Sequence, residues 1–183
     1  GWISPSAMKI GIIIVVSLAC ALGSTLLLYG GWWLIIVGMV CVIFAFLYTT
    51  GPYPLSYHGW GDVLVLLFFG FVPVCGTYYV QALTITPSVI VGSLISGLAI
   101  DTLLVVNNYR DREADALSGK KTVVVRYGEP FGRYLYLFLG MIACWLCLYF
   151  VFEGHLWAAL LPQFYLASHF KTWQRLVKIH KGK

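Results

Sequence analysis

From Ile10 to Tyr109 the chain carries only two charged side chains, Asp62 and Asp101. No ordinary soluble domain has so long a stretch with so little charge, since such domains carry roughly 25% charged residues. The chain as a whole is 60% hydrophobic and 10% charged over 183 residues. These proportions predict helices that cross a bilayer, where every backbone N–H and C=O must be satisfied within the helix or a closed barrel. A protein that only lies on a membrane needs a more strongly charged face.

Six apolar segments are expected, over about 8–29, 31–49, 61–83, 87–109, 131–152 and 155–172, most of them close to the roughly 20 residues of a membrane span. Gly30-Gly31, Gly51-Pro52, Thr86-Pro87 and Glu153-Gly154 separate them. Pro73 and Pro162 fall inside spans, where neighbouring helices can satisfy the freed carbonyls. No repeat and no low-complexity linker divides the chain. Residues 1–183 are therefore expected to form one all-α, multi-span transmembrane bundle. The five cysteines sit in apolar runs, and the pair Cys144 and Cys147 reads as small core residues rather than a redox or zinc pair.

Charge placement predicts topology. Eleven of the twelve Lys and Arg residues follow Tyr109, and only Lys9 precedes it. Loop 110–133 holds Arg110, Arg112, Lys120, Lys121, Arg126 and Arg133, and the tail holds Lys171, Arg175, Lys178, Lys181 and Lys183. Both are expected on the cytoplasmic side. Counting spans backwards puts loop 48–62 on that side too, so it shares one mouth of the bundle with loop 110–133. The lipid bilayer is the expected environment, and no soluble face exists to carry a basic stripe for nucleic acid.

Four of the seven acidic residues (Asp101, Asp111, Glu113 and Asp115) fall within fifteen positions. Acids at the end of a membrane helix are costly and point to function. On a helix advancing about 100° per residue, Asp101, Asn107, Asn108, Asp111 and Asp115 share about one third of the circumference, with Arg110 and Arg112 off that arc. Oxygen-only ligands suit a hard ion such as Mg²⁺. No His or Cys joins them, which argues against zinc.

The stretch Asn107-Asn-Tyr-Arg-Asp-Arg-Glu-Ala-Asp-Ala-Leu-Ser-Gly-Lys-Lys-Thr-Val-Val-Val-Arg-Tyr-Gly128 resembles the second aspartate motif of the UbiA superfamily of intramembrane prenyltransferases. Its doubled Asn resembles the 1,4-dihydroxy-2-naphthoate branch. The segment from Tyr48 to Asp62, Gly76-Thr-Tyr-Tyr-Val-Gln81 and the opening Gly-Trp-Ile-Ser-Pro agree with that branch. The family's first motif, Asn-x-x-x-Asp-x-x-x-Asp, is not in the chain. About nine spans are usual in the family, so the chain is expected to be part of a longer protein.

The resemblance implies an enzyme that transfers a polyprenyl group from polyprenyl diphosphate to 1,4-dihydroxy-2-naphthoate. Carbon dioxide is lost, and demethylmenaquinol forms on the route to menaquinone. It implies Mg²⁺ at Asp111 and Asp115, with Asn107 beside them. Asn108, Arg112, Lys120, Lys121, Arg126, Tyr48, Tyr53 and Tyr57 are expected to contact substrate. The site is expected to face the cytoplasm in a bacterial-type membrane. Other expected possibilities are a hydroxybenzoate, homogentisate or tetrapyrrole acceptor, or a non-catalytic membrane subunit. An ion-coupled transporter would show inverted repeats, and the sequence has no such symmetry.

Overall fold

The computed structural model describes residues 3–179. Gly1, Trp2, Lys181 and Lys183, which entered the expectations above, lie outside the described residues. Helix α1 spans Pro5–Ser24, with Ser4 as N-cap accepting the Ala7 N–H at 3.2 Å and Pro5 at the first position. Short α2 (Leu27–Gly30) and α3 (Leu34–Thr49) follow. A 3₁₀ turn at Leu55–His58 leads into α4 (Gly61–Val65). A π-helical segment, Leu66–Phe71, joins α4 to α5 (Val72–Ala82). Then come α6 (Pro87–Leu117), α7 (Val123–Tyr127) and α8 (Glu129–Leu146). Two short pieces, α9 (Leu156–Leu160) and a 3₁₀ turn at Leu161–Phe164, precede α10 (Tyr165–Lys178).

The protein is an all-helical, multi-span bundle. Among the described residues, four segments are long and apolar enough to cross a membrane: Pro5–Gly30, Gly61–Ala82, Pro87–Leu117 and Glu129–Val151. The expected second span is the 16-residue α3, about 24 Å at 1.5 Å per residue and so short of a roughly 30 Å hydrocarbon core. The expected span over 155–172 is not one helix. Pro162 cannot donate a backbone hydrogen bond, and the chain tightens into the 3₁₀ turn there. Gln163 compensates, donating Nε2 to the carbonyls of Cys144 at 2.6 Å and Ala159 at 3.0 Å. Beyond it α10 is amphipathic, with Lys171, Arg175 and Lys178 among its residues.

Pro73 works in a similar way. It has no N–H to offer the Phe69 carbonyl, and the helix widens into the π segment just before it. Ser96 of α6 donates Oγ to that carbonyl at 3.3 Å. The approach is close because two glycines face each other. A Cβ on Gly70 would lie 2.6 Å from the Ser93 carbonyl oxygen and 2.9 Å from Gly97 Cα.

The core lies between α6, α7, α8 and α10, where Val105, Tyr109, Val124, Tyr136, Leu139 and Leu176 are buried. Most buried positions on α6 (Val89, Ser93, Gly97, Asp101, Val105, Tyr109, Arg112 and Asp115) step by three or four residues and mark one seam, with Thr102 buried beside it. Buried His169 of α10 crosses α8 at Gly140, sets Nε2 3.1 Å from the Tyr136 carbonyl oxygen and stacks on the Tyr136 ring. Cys144 and Cys147 are buried, free, and bonded to backbone carbonyls of Pro162 and Ala143.

Candidate functional site

Helix α6 runs eight residues past the apolar segment expected from the sequence, which ended at 109, and this extension carries the acids. Ser118 closes it, and Gly119 turns the chain at φ 79. Lys120 then folds back, its Nζ 3.0 Å from Asp115 Oδ1. The hydrogen bond with Asp115 holds the Lys120 ammonium above the ordinary lysine range. Thr122 caps α7, its Oγ1 accepting the Val125 N–H at 3.3 Å.

Loop 48–62 docks on this turn. The Tyr57 carbonyl accepts the Lys121 N–H at 2.8 Å, and the His58 carbonyl accepts Arg126 Nη2 at 3.1 Å. Lys120 Nζ stands 5.6 Å from the Tyr57 ring centre. Gly59, at φ 81, allows the close approach, since a Cβ there would lie 2.7 Å from the Lys121 carbonyl oxygen. Tyr53 stacks on His58 with ring centres 3.5 Å apart, and His58 Nδ1 lies 2.9 Å from the Pro54 carbonyl oxygen. The loop is thus a built lid rather than a free connector. A small void of about 10 Å³ beneath it, room for about one water, is lined by Tyr48, Ser56, Asp62, Asn108 and Thr122.

The expected site residues divide into two groups. Tyr48, Tyr53, Tyr57, Asn108, Asp115, Lys120, Lys121 and Arg126 gather at the loop and the end of α6, where Asn107 and Asp111 lie on the same helix. Asp111 is half-buried and held by Arg110 in a two-point fork, with both contacts at 2.7 Å. Asp115 is 8% exposed and faces Lys120. Arg112 stands apart. It lies on the buried seam, donating Nε to Glu129 Oε1 at 3.0 Å and Nη1 to the Tyr109 carbonyl at 2.6 Å. One residue from Asp111, it was expected to contact substrate, but its partners belong to the fold.

Glu129 also accepts Arg133 Nη2 at 2.8 Å, and Arg133 Nε donates to Tyr109 Oη at 2.8 Å. This network ties α6 to α8 directly behind the acids. Glu129 was not among the expected site residues. Its one signal in the sequence is that it is the only acid between Lys120 and Arg133. Asp62, on the first turn of α4, was also not among the expected site residues. It buries both carboxylate oxygens without a hydrogen-bond partner, as Asp101 does Oδ1.

Among the described residues no group of three or more His, Cys, Asp or Glu is placed to hold a metal ion by itself. Asp111 and Asp115 are one helical turn apart and supply two carboxylates. That donor set fits a hard cation that takes its other ligands from water and phosphate oxygens. A separate apolar cavity of about 1000 Å³ opens between α1, α2, α3 and α5, with Val16, Leu27, Val42, Pro73 and Gln81 in its walls.

A helical membrane bundle with acids and bases gathered under a tyrosine-rich lid has the makings of an intramembrane enzyme. The UbiA prenyltransferase family model matches residues 1–183, and the chain belongs to that family. It is 38% identical over 166 residues to the 1,4-dihydroxy-2-naphthoate octaprenyltransferase of Escherichia coli (strain K12), covering 86% of this chain and 54% of that protein. The enzyme of the same name from Mycobacterium tuberculosis is 40% identical over 120 residues, which is 66% of this chain and 41% of that protein. The 2-carboxy-1,4-naphthoquinone phytyltransferase of a Synechocystis strain is 27% identical over 93 residues, covering 51% of this chain and 30% of its own length. No solved structure matches. The chain spans about half the length of the curated relatives it matches.

Proposed function

We propose that the protein containing this chain transfers a polyprenyl group from polyprenyl diphosphate to 1,4-dihydroxy-2-naphthoate, with loss of carbon dioxide, in menaquinone biosynthesis. The observation that carries this is the mouth itself. It combines two acids one turn apart on α6, three bases on the following turn and helix, and an aromatic lid hydrogen-bonded to that turn. The two octaprenyltransferases named above resemble the chain over 86% and 66% of its length, which supports the choice of acceptor.

In this reading Asp111 and Asp115 hold Mg²⁺, with Asn107 beside them. The ion, when bound, withdraws electron density from the departing diphosphate. Lys120, Lys121 and Arg126 bind phosphate oxygens, Arg126 remaining anchored to the lid. The tyrosine rings of Tyr48, Tyr53 and Tyr57 cover the allylic carbon, exclude water and offer aromatic faces to developing positive charge. Asn108, which lines the small void under the lid, contacts the acceptor in this reading. The large apolar cavity offers volume for the polyprenyl chain, with Gln81 in its wall. The mouth faces the cytoplasm on the positive-inside argument.

The test is product analysis. Membranes carrying the protein should convert 1,4-dihydroxy-2-naphthoate and a polyprenyl diphosphate to the decarboxylated prenyl product, and only with Mg²⁺. Transfer to hydroxybenzoate or homogentisate in its place would overturn the choice of acceptor.

A further inference from the structure

Helix α10 turns a basic face away from the bundle. Lys171, Arg175 and Lys178 are all exposed on it. At about 100° per residue they fall within about 60° of arc. Buried His169 and Leu176, which pack on α8 and the core, lie on the opposite side. No acid answers the three bases. The sequence has no Asp or Glu after Glu153, and among the described residues no ion pair includes any of the three. Glu129, at the start of α8, is already shared by Arg112 and Arg133.

The depth of this face follows from its anchor. The end of α10 is held at the mouth, where Tyr109 Oη and Arg133 Nη2 donate to the Ile179 carbonyl at 2.9 and 3.4 Å. Lys171 lies only about 10 Å further along the axis than Lys178. The polar interface of a bilayer is roughly 5–8 Å thick on each side, and long basic side chains extend their charged heads toward it. All three bases therefore reach one layer of headgroups. Deeper in the span, Leu161 and Phe164 are exposed. Exposed Phe170 packs beside Trp173, with ring centres 5.2 Å apart, at the depth where aromatic side chains collect in membrane proteins. The face is basic at headgroup depth and apolar at acyl depth. A phospholipid has that profile, whereas an acidic peptide or a nucleic acid matches only the basic part.

We propose that the outward face of α10 binds an anionic phospholipid of the leaflet at the mouth. Lys171, Arg175 and Lys178 hold its phosphate and headgroup, and its acyl chains lie along Phe164 and Phe170. Three unanswered positive charges favour a headgroup of net negative charge, because the ammonium of a phosphatidylcholine is repelled by them. The inference stands apart from the reaction proposed above.

Native mass spectrometry of the purified intact protein tests this, with equimolar dioleoylphosphatidylglycerol and dioleoylphosphatidylcholine added to the micelles. The unmodified protein should retain phosphatidylglycerol at least about tenfold over phosphatidylcholine. Each of Lys171→Gln, Arg175→Gln and Lys178→Gln should cut that preference about fivefold, the effect of one base at an anionic surface. The triple variant should lose most of it. All three side chains are exposed, and if the triple variant fails to fold the single variants decide. Equal retention of the two lipids by the unmodified protein overturns the proposal, and is the outcome if another segment of the protein covers this face. A preference that survives unchanged in the variants also overturns it, because the lipid is then held by bases elsewhere.

Discussion

Lys120 bends back to Asp115, its Nζ 3.0 Å from Oδ1, and lies 5.6 Å from the centre of the Tyr57 ring. One ammonium group thus joins the acid end of α6 to the lid. Lys120→Ala should weaken diphosphate binding about tenfold, in the range of one charged hydrogen bond, with Lys120→Arg retaining part of it. Binding titrations with geranyl diphosphate measure this. Because Lys120 is held above its ordinary value, its pairing is fully present from about neutral pH up to the ordinary lysine range near 10.4 and is lost as pH rises through the higher folded value. Lid docking, followed by the fluorescence of nearby Trp60, should stay constant from about pH 7 to 9 and loosen only beyond the lysine range.

Glu129 is the shared partner of Arg112 and Arg133. Glu129→Ala leaves the guanidinium of Arg112, which is 6% exposed, without its carboxylate. Since the Glu129 side chain is itself 34% exposed, the expected loss is about 2 kcal/mol rather than the larger cost of a fully buried pair. Chemical denaturation in mild detergent checks the value. A double-mutant cycle with Arg112→Met should show coupling between the two sites.

Much of this architecture is legible in the sequence because membrane spans announce themselves by length and lack of charge. The separators at Gly51-Pro52 and Thr86-Pro87 fall at the ends of helices. The meeting of loop 48–62 with the acid end of α6 follows from alternating spans, and the Tyr57–Lys121 hydrogen bond realises it. The rest depends on which way side chains turn, and helical angles alone do not decide that. Arg112 lies only about 20° beyond Asp101 by helical rotation, so a small error in the arc separates a buried clamp from a residue at the mouth. The burial of both Asp62 carboxylate oxygens is likewise a tertiary fact. The break in the last segment is signalled by Pro162, but only the Gln163 contacts show that the chain uses the break.

Gly59 fixes how closely the lid approaches. Its φ of 81 opposes any side chain, and so does the 2.7 Å that would separate an added Cβ from the Lys121 carbonyl oxygen. Gly59→Ala should cost about 1–2 kcal/mol of backbone strain, expressed locally. Limited proteolysis should cut loop 48–62 faster in this variant, while the thermal midpoint of the bundle changes little.

Gly70 and Gly97 set the crossing of the π segment on α6, where the atoms facing Gly70 are backbone. Gly70→Val should push the two helices apart, withdraw Ser96 from the Phe69 carbonyl and lower the yield of folded protein. Gly11→Val, with nothing within 4 Å, should be tolerated. Size-exclusion profiles of the two variants in the same detergent give the comparison.

The central claim is that Asp111 and Asp115 bind a diphosphate through Mg²⁺. The most direct measurement is binding of a polyprenyl diphosphate to the purified protein with Mg²⁺ or with EDTA, in the unmodified chain and in Asp111→Asn and Asp115→Asn. Tight binding is expected only with Mg²⁺, with at least about a tenfold loss in each variant and the thermal midpoint preserved. Binding that is equally tight in EDTA, or unchanged in Asp111→Asn, would contradict it.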